Sequence, residues 1–353
     1  MSKYFTDRLS ALTPYTPGEQ PKDQKYVKLN TNESPFPPSP SVIEAAKDSA
    51  GRLQLYCDPE CKRLTEKAAE IFGVGYGNVI MTNGSDEALY FAFMAFSDED
   101  HPIAFADITY GFYPVFASLL NLPYEIIPLK DDFSIDPEDY VGINKNIVIA
   151  NPNAPTGKCL PLSDIERIVA SNPDNVVIID EAYVDFGGES AIPLTKKYDN
   201  LIVTGTFSKS RSMAGARLGF AVGCEALIRD LQTIKYSTNP YNVNAMTQAA
   251  GLAALTDNGY YMDNCKKIIE NREYTERELT ALGFDVIPSK ANFVFAKSDR
   301  ISGVELYKKL RERGILVRHF DKDRIKEYNR ITIGSREQME IFIGAVKDIL
   351  EAK

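Results

Sequence analysis

The sequence predicts an α/β protein, in which a mostly parallel sheet carries helices on both faces and a smaller C-terminal α+β unit follows. Three observations carry this. Short apolar runs recur through the middle of the chain, each reading as a buried strand. Helical patterns separate them, as crossover connections between parallel strands require. Beyond about residue 242 the pattern changes to long helices and a few short strands.

Residues 1–15 contain Lys3, Asp7 and Arg8 and no apolar run, so they do not read as a signal peptide. The proline-rich residues 35–40 read as an extended segment ahead of a helix beginning near Ser41. Strands are expected at residues 79–81, 103–106, 124–128, 147–150, 176–179, 201–204 and 218–222. Residues 83–87 follow the first strand and open an apolar helix. In the C-terminal part, helices are expected at 242–255, 259–282, 303–313 and 336–352, with strands at 284–287, 293–296, 315–317 and 330–333. This divides the chain into an arm (1–29), a large domain (30–241) and a small domain (242–353), with a loose second boundary because a long helix can serve two domains.

With 353 residues, 44% of them hydrophobic, the chain exceeds what one ordinary core needs. A net charge of -9 argues against a general binder of nucleic-acid backbones, while leaving room for a local basic pocket for a small anion. No apolar stretch is long enough to span a bilayer, so no membrane partner is expected. The five cysteines are scattered and odd in number, which reads as reduced thiols in a cytoplasmic protein. Cys57 and Cys61 are four apart, but His101 and His319 are the only imidazoles, so two ordinary thiols are expected there and no metal.

Ligands of such sheets bind outside the carboxyl ends of the strands, and four strand ends carry unusual polar clusters. Gly84, Ser85 and Asp86 open a helix whose free amides and dipole suit a phosphate, or they form a plain N-cap. Residues 151–157 form an irregular turn in which Asn151 and Asn153 are either turn residues or donors aimed at the crevice. Asp180 ends a buried strand, where an acid needs a cation or donors; it is either a helix cap or the partner of a protonated ring nitrogen. Thr206, Ser208 and Lys209 lie in a loop with Arg217 eight residues after the lysine. A lysine amine can form a Schiff base with an aldehyde cofactor, whose phosphate Ser208 and Arg217 can hold, unless this is a solvated basic loop.

Together, in this order and spacing, the four clusters resemble the fold-type-I pyridoxal-phosphate aminotransferases, from about Leu12 to the C-terminus. The histidinol-phosphate branch is the most similar, through Leu12-Thr13-Pro14-Tyr15, the stretch from Leu29 through Asn32 to Pro35, Tyr110-Gly111-Phe112-Tyr113 and the stretch from Arg330 to Gly334. The resemblance implies pyridoxal 5'-phosphate as cofactor, held covalently by Lys209, which then shuttles the proton. It further implies that Asp180 keeps the ring nitrogen protonated, Tyr183 hydrogen-bonds the ring oxygen, and Tyr110 stacks on the ring. The phosphate cup would comprise the amides around Ser85 and Asp86, Ser208, Arg217, and Tyr56 from a second subunit, which makes the expected assembly a homodimer. Arg330 would take an α-carboxylate, while Arg318 and Tyr15 would meet a substrate phosphate. The implied reaction exchanges an amino group between histidinol phosphate and 2-oxoglutarate or glutamate. Many relatives have asparagine where this chain has Ala154, so Asn151 or Asn153 is expected to reach in instead. Arg211 is an extra charge where relatives often carry a more apolar stretch. The same fold also serves aromatic amino acids and phosphothreonine decarboxylation. A regulatory module without turnover is disfavoured, because the segment ahead of Asn30 is too short for a DNA-binding domain.

Overall fold

The computed structural model describes residues 2–10 and 12–352. Its main sheet has seven strands in the spatial order Val79–Thr82, Gly219–Gly223, Leu201–Thr206, Val177–Asp180, Asn146–Ala150, Ile103–Ala106, Tyr124–Ile127. Every pairing is parallel except the two made by Gly219–Gly223, which runs antiparallel to both neighbours. The mostly parallel sheet expected from the alternating pattern is the one observed.

Both faces of this sheet are covered. Ile147, Ile149, Val177, Ile179, Leu201 and Val203 point into one core, which takes in Val42, Leu64, Ile165 and Leu255 from four helices. Val148, Ile178 and Ile202 point the other way, against Leu89, Phe93, Phe116 and Leu231 from three helices. Alternate side chains of a strand face opposite sides, so an apolar run is required when both sides are dry.

A second sheet has the antiparallel order Arg318–His319, Asn329–Thr332, Phe293–Ser298, Phe284–Ile287. Its core gathers Val294, Ile331, Leu306, Phe342 and Val346, with the helices Gly303–Glu312 and Arg336–Glu351. The expected strand at 315–317 is divided. Ile315–Leu316 pairs in parallel with Val27–Lys28, and only Arg318–His319 joins the four-stranded sheet. Helix Ala245–Thr256 buries Ala250, Ala254 and Leu255 in the core of the large sheet. The 24-residue helix Asn258–Ala281 places Tyr261 in that core and Cys265, Ile268 and Leu279 in the other.

The segment just before the large sheet ties the two sheets together. Leu29 exchanges backbone hydrogen bonds with Leu316 and Thr332, and the Asn32 N–H donates to Thr332 Oγ1. On its other side the segment meets the loops that follow the large-sheet strands: the Thr31 carbonyl accepts from Lys209, and Asn32 donates to the Tyr183 hydroxyl.

Candidate active site

A cavity of about 550 Å³ opens at those strand ends, lined among others by Ser85, Asp86, Tyr110, Asp180, Lys209 and Arg217. It shares Tyr110, Ala154, Tyr183 and Lys209 with a larger outer cavity of about 1820 Å³, whose walls include Tyr15, Asn32, Arg318 and Arg330.

Asp180 is the last residue of its strand and 4% exposed. Tyr113 donates to its Oδ2 at 2.9 Å and Thr204 to its Oδ1 at 3.3 Å. Burial raises this carboxyl to about 6 despite those donors, and among the described residues it forms no ion pair. Lys209 is the complementary group. Burial, reinforced by the Arg330 charge, lowers its amine to about 8. Among the described residues its Nζ donates only to the Thr31 carbonyl, at 3.2 Å, and it lies 6.0 Å from the centre of the Tyr183 ring. A buried acid and a buried amine with opposite shifts in one cleft mark a functional site rather than a structural ion pair.

At the helix Gly84–Phe96 the first amides have no intrahelical acceptor. Gly84 has φ +76°, and a Cβ there would lie 2.7 Å from Arg217 Nη2. A Cβ on Gly219 would lie 2.3 Å from the Gly84 carbonyl carbon and 2.4 Å from Ser85 N. The helix start is therefore pressed onto the antiparallel strand by two glycines. Arg217, with φ +55°, donates through Nη2 to Asp86 at 2.9 Å, and Tyr110 donates to the other Asp86 oxygen at 2.7 Å. Asp86 thus holds both the guanidinium and the aromatic ring in place. The Thr206 hydroxyl donates to Ser208 Oγ at 3.0 Å.

The outer cavity carries the second set of cations. Arg318 and Arg330 are directly opposite one another on neighbouring antiparallel strands. Facing like charges are unfavourable, yet among the described residues neither is matched by a carboxylate. Arg318 donates to the carbonyls of Thr16 and Pro17, and Arg330 to that of Asn30. Arg330 is packed over the Phe293 and Phe320 rings, its Nε has no partner, and burial lowers its affinity for its proton. Tyr15 stacks on Phe112 at the same mouth.

The Asn151 side chain exchanges hydrogen bonds with the backbone of Leu160, and Asn153 is consumed by Ile108, Thr109 and Thr156. Neither lines the inner cavity, and both pin the turn. Asn32, on the wall of the outer cavity, donates through Nδ2 to the Tyr183 hydroxyl at 2.9 Å. It is 1% exposed, has φ +56°, and its own oxygen accepts from Thr332. The sequence signal for it lies in the stretch from Leu29 to Pro35, which by itself gives a family likeness and no role for this side chain. Tyr56 does not enter this site within its own chain. It is 84% exposed and stacks on Tyr241.

The inner cavity fits pyridoxal phosphate on its own chemistry. Its lining combines the start of the helix Gly84–Phe96, the hydroxyls of Thr206 and Ser208 and the Arg217 guanidinium with the buried acid Asp180, the Tyr110 ring and the Lys209 amine. Comparison with known proteins agrees. The family model described as aminotransferase class I and II matches residues 24–346. A histidinol-phosphate aminotransferase from Brachyspira hyodysenteriae is 51% identical over 99% of this chain and 100% of its own length. One from Clostridium acetobutylicum is 50% identical over the same shares. The crystal structure of histidinol-phosphate aminotransferase from Sinorhizobium meliloti in complex with pyridoxal-5'-phosphate superposes with a TM-score of 0.90, at 24% identity, covering 100% of this chain and 99% of that one. This last likeness bears on the fold, and it supports the predicted α/β class. The extent of the family match and the full-length identity together place this chain in the class I and II aminotransferases.

Proposed function

We propose that the protein is a pyridoxal-phosphate-dependent aminotransferase that exchanges an amino group between L-histidinol phosphate and 2-oxoglutarate or glutamate, serving histidine biosynthesis in the cytoplasm. The observation that carries the substrate reading is the facing pair Arg318 and Arg330, unmatched by carboxylates and open to the same cavity as Lys209. Two relatives of that name at about half identity support it.

When bound, the cofactor supplies an aldehyde for amine capture and an electron-withdrawing ring. The amides of Ser85 and Asp86, the hydroxyls of Thr206 and Ser208, and Arg217 would hold its phosphate, with Gly84 allowing the close approach. Asp180 would take a protonated nitrogen as its missing cation, Tyr183 would donate to a phenolic oxygen while accepting from Asn32, and Tyr110 would cover the ring. Lys209, with its amine lowered to about 8, is suited to take a proton from the reacting carbon and return it near neutral pH.

Arg330 would grip the α-carboxylate of glutamate, and Arg318 with Tyr15 the phosphate of histidinol phosphate. The two arginines are separable by substrate. In single-turnover measurements on loaded enzyme, Arg330→Ala should damage the glutamate half-reaction more, and Arg318→Ala the histidinol-phosphate one. Loss of a charged partner typically costs about 2–5 kcal/mol where the remaining charge is buried. Equal losses in both half-reactions for both variants contradict this division.

We also propose a homodimer in which Tyr56 reaches the partner's phosphate cup, and a chain divided into an arm (1–29), a large domain (30–241, joined by the helix Ala245–Thr256) and a small domain (the remainder of 242–353). The exposure of Tyr56 supports the first reading. Mixing inactive Tyr56→Phe and Lys209→Ala chains should restore part of the activity, since one mixed site keeps both residues. Absence of recovery in demonstrated heterodimers argues that Tyr56 serves its own chain.

A further inference from the structure

The wall that forms the active site has a second side. Residues along it alternate: Asp180, Tyr183, Ser208 and Lys209 face the inner cavity, while Glu181, Val184, Phe207 and Arg211 face another, of about 940 Å³. Thr206 borders both. This back cavity lies on the sheet face covered by the helices Lys62–Phe72 and Ala245–Thr256.

Within it, Arg211 is the unbalanced group. It is 8% exposed, yet among the described residues its guanidinium has no hydrogen bond and no ion pair, and Nη1 is fully enclosed. Its one contact of note is the Tyr261 ring, 5.8 Å away. A guanidinium with an enclosed, unmet donor is costly, and an anion entering beside it offsets that cost. The two nearby acids do not serve. Both oxygens of Glu181 already accept, from Ser190 Oγ at 2.6 Å and Ala191 N at 2.5 Å, and burial raises its carboxyl to about 8. Asp185 stands exposed at the cavity's edge and forms no ion pair with Arg211. The rest of the lining is largely apolar, including Ile71, Phe72, Phe220, Leu255 and Met262, with the buried Asn258 Oδ1 as an unmet acceptor.

One cation, an apolar chamber and a single spare acceptor define a ligand class. We infer that the back cavity binds a small monocarboxylate with an apolar body, its carboxylate forked by Arg211. A planar guanidinium matches a carboxylate bidentately, and a hydroxyl or amine on the ligand would meet Asn258. Because Arg211 follows Lys209 by two residues, occupation of this site would load the segment that carries the catalytic amine.

The test uses 4-methylpentanoate as probe and 4-methylpentan-1-ol as its uncharged counterpart, titrated calorimetrically into cofactor-loaded enzyme. Arg330 offers a competing carboxylate site, so the titration is repeated in Arg330→Gln. The inference expects one binding event per chain that persists in Arg330→Gln, weakens at least tenfold in Arg211→Gln, and is absent with the alcohol. Binding that disappears with Arg330→Gln, survives Arg211→Gln, or fails to occur in the wild type overturns it. Should Arg211→Gln not fold, a wild-type crystal soaked with the probe decides. Density for the acid on Arg211 supports the site, and a protein carboxylate or solvent alone on Arg211 overturns it.

Discussion

Lys209 shows how one residue's surroundings become chemistry. Burial strips water from its ammonium, and the cation of Arg330 adds to the cost of the charged form, so the amine settles near 8. A base whose folded pKa is depressed binds fewer protons than in the unfolded chain between its two values. Its unfavourable contribution is therefore full below pH 8 and is relieved as pH rises from about 8 towards 10.5. In cofactor-free protein, reductive methylation of Lys209 followed by NMR should show a midpoint near pH 8; a midpoint at the ordinary 10.5 contradicts the burial argument. In cofactor-loaded protein, Lys209→Ala should lose the borohydride-reducible adduct. At this scale the sequence is informative where a polar residue directly follows an apolar run, as with Asp180, and where a lysine sits in the short loop after one, as with Lys209. At Asn151 and Asn153 the same signal accompanies side chains that pin a turn. Asn32 is opaque for a different reason: its partner Tyr183 is 151 residues away, and only the tertiary fold pairs them.

Elements position these residues through close backbone approach. The antiparallel strand Gly219–Gly223 is wedged between two parallel neighbours, and its first residue touches the start of the helix Gly84–Phe96. Gly219→Ala would force a Cβ against backbone atoms of Gly84 and Ser85. Overpacking of this kind typically costs about 1–3 kcal/mol, and here the strain falls on the amides proposed to bind phosphate. Cofactor affinity should fall about tenfold or more. Gly215→Ala, whose Cβ meets nothing within 4 Å, should leave affinity unchanged. Equal affinities for wild type and Gly219→Ala would show that the helix start is not a rigid cradle. The central strands are legible in the sequence because they are apolar on both faces, whereas the edge strand Tyr124–Ile127 is exposed at its first three residues. The change of pattern near residue 242 is not a change of packing: helix Ala245–Thr256 belongs to the large-sheet core, since helical periodicity reports an apolar face and not its partner.

At the scale of the whole molecule, the site exists because the segment from Leu29 to Asn32 joins the small sheet to the loops after the large-sheet strands, which carry Lys209 and Tyr183. It brings the arginine pair of the small sheet over the lysine and acid of the large sheet. The sequence displays each half, but the facing of Arg318 and Arg330 depends on a register that no local pattern specifies. That register is the basis for reading two anions at one site. The most direct measurement compares L-histidinol phosphate with L-histidinol in single-turnover reactions of the cofactor-loaded enzyme. If Arg318 and Tyr15 bind the phosphate as proposed, the second-order constant for the phosphorylated amine should be larger by at least about tenfold, the equivalent of about 1.4 kcal/mol or more from charged hydrogen-bonding partners. Equal constants for the two amines would contradict the assignment.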